Sequence, residues 1–73
     1  HLMEVIQAGD KVLHFADRHG SNVKQMLAMP DFGSRIADGP ALNYEVGMMT
    51  AMWQLASGLM KDLTEPLKSI VNK

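Results

Sequence analysis

Cysteine is absent from this 73-residue chain, so no disulfide can substitute for a small hydrophobic core. Aromatic residues are few: one Trp, one Tyr and two Phe. The histidines, His1, His14 and His19, are too scattered for a closed structural metal site. No sign of charge dominates either. Seven Lys and Arg against eight Asp and Glu leave a net charge of −1, mixed along the chain. That excludes the basic face a nucleic-acid binder needs. A long hydrophobic run is missing too. The most apolar stretch, Val46 to Met60, is interrupted by Thr50, Gln54 and Ser57 and falls short of the about 20 residues of a membrane span. The N-terminus lacks a basic region followed by an apolar one, so no signal peptide is expected.

A chain this short hides only about 60% of its unfolded surface and is marginal alone. Without disulfides or metal, it needs tight helix packing or a partner. The expectation is a single domain over residues 1–73, with His1-Leu2 read as a cloning remnant before Met3.

What is present is helical periodicity. Leu2, Val5, Ile6, Gly9, Val12, Leu13 and Ala16 recur at helical spacing, with Glu4, Asp10, Lys11, Asp17 and Arg18 largely outside the stripe. This predicts an amphipathic helix over 3–19, closed by Gly20. Ser21 is a candidate N-cap for a short second helix, 22–29, buried through Val23, Met26 and Leu27. Pro30 stops it, because proline disfavours helical geometry at Met29. A loop over 30–39 follows. Its turn signals, Asp31-Phe32-Gly33 and Asp38-Gly39, bracket Ser34 to Ala37, a stretch the length of one helical turn. Phe32 and Ile36 are expected to plug the domain's own core.

Pro40 suits the first turn of a last helix, 40–72. There Leu42, Val46, Met49, Trp53, Ala56, Met60, Leu63, Leu67 and Ile70 alternate in steps of four and three, an unbroken heptad seam. Pro66 falls inside it and should kink or restart the helix near Thr64. A second stripe, Met48, Met52, Leu55 and Leu59, runs alongside. Gly47, Ala51 and Gly58 form a line of small residues. From Val46 to Met60 the helix is therefore apolar or small nearly all round, the mark of burial on more than one side. The preceding segments are too short to cover it. Val46, Met48, Met49, Met52, Trp53, Leu55, Leu59, Met60 and Leu63 are the expected interface. Four of the seven methionines lie in this segment, and methionine suits adaptable contacts.

Candidate chemistry is thin. Asp10, His14 and Asp17 share one helix face, but that spacing equally describes a solvated polar face with an i, i+4 pair. His19 reads as a cation near a helix C-terminus. No Gly-x-Ser-x-Gly and no phosphate-binding glycine loop occur. No enzyme, cofactor or metal is expected.

Gly39-Pro40-Ala41-Leu42, then Leu55-Ala56-Ser57-Gly58-Leu59-Met60-Lys61, then Leu67-Lys68-Ser69-Ile70-Val71-Asn72-Lys73 together resemble the C-terminal helix of bacterial type III secretion needle and inner-rod proteins. The resemblance covers Asp38 to Lys73. The chain departs from the family pattern at Tyr44-Glu45, where members often carry Gln, and at Pro66. The resemblance implies a subunit of a hollow export filament, secreted or in the cell envelope, with Leu42, Val46, Met49, Leu55, Leu59, Leu63, Leu67 and Ile70 as subunit contacts. Without it, a cytoplasmic location is the default.

The fold expected is all-α, a small helical bundle or helical hairpin with a long C-terminal helix. The function expected is protein–protein assembly, by self-association or with another helical chain. The alternative is a monomeric binding module, an effector or chaperone domain, that docks a partner protein through loop 30–39 with Phe32 and Ile36.

Overall fold

In the computed structural model, which describes residues 1–71, the chain forms a hairpin of two helices, α1 (Leu2–Ala28) and α2 (Asp38–Val71). The molecule is a rod of 59 × 17 × 15 Å. Its length follows from α2, because 34 residues at 1.5 Å each span about 50 Å.

The expected break at Gly20 does not occur. Helices 3–19 and 22–29 are one continuous α1, and Ser21 is an ordinary exposed helical residue rather than an N-cap. Gly20 serves close approach instead of helix closure. A Cβ built there would meet the Met49 sulfur of α2 at 3.2 Å, so the small residue lets the second helix come near.

α1 faces α2 with Val5, Gly9, Val12, Ala16, His19, Gly20, Val23 and Met26, which are all buried or half-buried. α2 answers with Leu42, Glu45, Met48, Met49, Met52, Ala56, Leu59 and Leu63. Both series follow the three–four spacing of a coiled-coil seam. Only Ala16, at 1% exposure, and Ala56, at 5%, are fully buried apolar residues among those described. The core is thus a single seam of small and half-covered side chains.

The seam of α2 corrects the one read from its sequence. Leu42, Met49, Ala56 and Leu63 belong to both. Val46, Trp53, Met60 and Leu67 do not face α1 but are exposed, and Ile70, in register with Leu63, is exposed as well. Glu45, Met52 and Leu59 take the inner positions.

The connection over residues 29–37 is a chain of turns with no helical turn in it. Met29 is extended before Pro30. Phe32 N–H donates to the Met29 carbonyl (3.2 Å) and Ser34 N–H to the Asp31 carbonyl (3.1 Å). Gly33 has φ 98°, a left-handed conformation costly to any residue with a Cβ. α2 starts two residues before the expected Pro40. Asp38 opens it, and its Oδ2 accepts from Gly33 N–H (2.8 Å) and Arg35 N–H (3.1 Å). Pro40 still falls in the first turn, where its missing donor costs nothing. Pro66 neither stops nor restarts the helix, which continues through it to Val71. The expected helix end at residue 72 lies outside the described residues.

Candidate interaction surface

The residues singled out on α2 divide into two sets. Met48, Met49, Met52, Leu59 and Leu63 are half-buried on the side of α1 and are spent on the hairpin itself. Val46, Trp53, Leu55 and Met60 remain exposed. Trp53 is 49% exposed and Met60 60%, near the middle of a helix and uncovered by the other described residues.

Trp53 and Met60 are not isolated. Leu13 of α1 lies beside them around a shallow hollow that also touches Ala56, Ser57, Lys61 and Thr64. A neighbouring groove of about 230 Å³ runs between the helices, lined chiefly by Val5, Ile6, Leu13, Leu59, Met60 and Leu63. Ile6 and Leu13 are seven residues apart on α1. Val46, Trp53, Met60 and Leu67 are spaced by sevens on α2. Residues seven apart nearly repeat their angular position on a helix. One side of the rod therefore carries an apolar ladder from both helices, flanking the seam. The expected α1 stripe is corrected in the same way: Ile6 and Leu13 belong to this exposed flank and not to the interior, and Leu2, in register with Gly9 and Ala16, is exposed at the start of the helix.

The loop residues also separate. Phe32 is half-buried, whereas Ile36, expected in the core, is 99% exposed at the tip of the hairpin. The Asp38 clamp explains why. It draws the backbone of Gly33 and Arg35 inward, and Arg35 pairs with Asp31 (2.6 Å), which leaves Ile36 pointing outward. The N–H donors of Arg35 and Gly33 hold the Asp38 carboxyl below its ordinary value against the opposing effect of burial.

A polar cluster crosses the seam near this end. His19 Nδ1 lies 2.5 Å from Glu45 Oε2, Asn22 Nδ2 donates to the same oxygen (3.2 Å), and the Tyr44 ring meets the His19 ring edge-on at 6.0 Å. The His19 bond, foremost, lowers the Glu45 pKa. This cluster was invisible in the sequence. It joins residues 26 apart, and only the hairpin register brings them together.

His14 and Asp10 stay on an exposed face of α1. His14 Nδ1 donates to the Asp10 carbonyl (2.7 Å), which chiefly raises the His14 pKa, helped by the Asp10 carboxylate. Asp17 does not join them in a ligand group. No set of three or more His, Asp or Glu gathers among the described residues, and no described helix is long and apolar enough to cross a membrane. No family model matches this chain, and no curated protein or solved structure does.

Proposed function

We propose that this chain is a non-enzymatic assembly subunit that works by laying its apolar flank against other helices, in further copies of itself or in another helical protein. The observation that carries this reading is the exposure of Trp53 and Met60 beside Leu13. Monomeric proteins rarely leave large contiguous apolar patches in water, and those that persist mark interaction sites. Following the resemblance of its C-terminal half, the finer reading is a subunit of a bacterial type III secretion needle or inner rod, in the cell envelope or outside it. Sedimentation over a concentration series tests the assembly reading. The mass should rise with concentration, and a strict monomer at millimolar concentration overturns assembly from copies of this chain.

Ile36 favours a second reading. A fully exposed isoleucine on a clamped loop is built like a docking knob for a partner protein. Ile36→Asp should then abolish partner binding without moving the melting temperature. Phe32→Ala should lower that temperature, because Phe32 is partly covered.

A further inference from the structure

We infer that the ladder of Ile6, Leu13, Val46, Trp53 and Met60 is covered by a second copy of this chain, the two hairpins lying side by side as a four-helix bundle. This rests on the assembly reading and adds a partner, a face and a geometry to it.

The first argument is continuity. In a two-stranded coiled coil the positions beside the seam are normally charged, so that the pair stays a pair. Here one side of the seam is apolar on both helices, and the face that buries α1 against α2 continues around the rod. A second hairpin extends it in the same packing geometry. The second argument is area. The ladder from Val46 to Leu67 is about 32 Å long at 1.5 Å per residue, and across the two helices, a face 17 Å wide, it covers on the order of 500 Å², somewhat below the ~800 Å² each partner hides in a standard interface and above the ~400 Å² a side of most packing contacts.

The third argument is charge, and it selects the orientation. Asp10 of α1 borders the groove and Lys61 of α2 borders the neighbouring hollow. They sit at opposite rims of the same side and form no ion pair with each other among the described residues. A two-fold axis along the rod sets α1 of each copy against α2 of the other. Asp10 of one copy then faces Lys61 of the second, and the match occurs twice by symmetry. Ile6 meets Met60, and Leu13 meets Trp53. All neighbouring helices run antiparallel, which also favours their dipoles.

Sedimentation and light scattering of the full chain, with Asp10→Lys, Lys61→Glu, the double reversal and Leu13→Glu, test the pairing. The wild-type mass should level off at twice the 8.1 kDa chain. Each single reversal should weaken association about tenfold, because each spoils two contacts. The double reversal should restore it to within about twofold. Leu13→Glu should be monomeric while its circular dichroism stays helical. A monomeric wild type overturns the pair together with the self-association on which it rests. A mass that grows without a plateau, or a double reversal that restores nothing, overturns the pair alone.

Discussion

Two neighbouring residues on α1, His19 and Gly20, do the most to fix how the helices meet. The bond of His19 to Glu45 spans the seam, and both side chains are largely covered. Because folding lowers the Glu45 pKa, the unfolded chain binds the proton more readily. The stabilisation is therefore complete above the ordinary value of 4.5 and drains away as the pH falls through the lower, folded value. Glu45→Gln should lower the melting temperature at pH 7 and flatten its acid dependence, as read from melts over a pH series. His14 moves the other way. Its pKa is raised above 6.5, so whatever its hydrogen bond contributes is present below that value and fades as the pH climbs through the folded one. An NMR titration should place its midpoint above 6.5.

Gly20 offers a sharper discrimination. Had it closed a helix in a left-handed conformation, Gly20→Ala would destabilise. Within a continuous α1, alanine gains up to about 1 kcal/mol of helix propensity, and the atom it presses is the flexible end of Met49. Gly20→Ala should thus be neutral or stabilising, whereas Gly20→Leu should cost about 1–3 kcal/mol by overpacking. Gly33→Ala, at a truly left-handed residue, should cost about 1–2 kcal/mol. Chemical denaturation of the three variants separates these outcomes. The sequence could not distinguish the two glycine roles: a Gly followed by Ser reads as stop and restart wherever a partner helix is not yet placed.

At the scale of the element, α2 shows where periodicity runs out. Its middle is apolar nearly all round, so two seams fit, one through Val46, Trp53 and Met60 and one through Glu45, Met52 and Leu59. They share Leu42, Met49, Ala56 and Leu63. The charge of Glu45 argues against the second seam on pattern alone, yet that is the seam α1 occupies, because His19 and Asn22 satisfy the carboxylate. Pro66 belongs to this scale as well. It leaves the Asp62 carbonyl without its helical donor in an exposed stretch, where water can take the place of that donor. Pro66→Ala should stabilise the end of α2 by up to about 3 kcal/mol in chemical denaturation while leaving the circular dichroism nearly unchanged, because α2 is already helical through residue 66. A clear gain in helicity would show instead that proline breaks the helix.

For the whole molecule the decisive fact is how little is hidden. Two alanines are the fully buried apolar residues among those described, and a single seam gives scant return against the conformational entropy of ordering some seventy residues. Packing a second hairpin on the ladder would double the covered faces of each helix. Folding and association should then be linked, with a melting temperature that rises with protein concentration. Calorimetry over a hundredfold range of concentration would detect this, and a constant melting temperature would speak against it.

Composition and spacing by themselves determined the all-α character, the long last helix, the turn region ahead of it and the excess of apolar surface between Val46 and Met60, because each depends on local periodicity or on chain length. The tertiary structure alone decided the rest: a continuous α1, the seam α2 presents, the pairing of His19 with Glu45, and the exposure of Trp53 and Ile36. Those depend on the register in which two helices meet. Register is set jointly by a clamped loop, a small residue under Met49 and a carboxylate that finds its partners across the seam, none of which is a property of either helix alone.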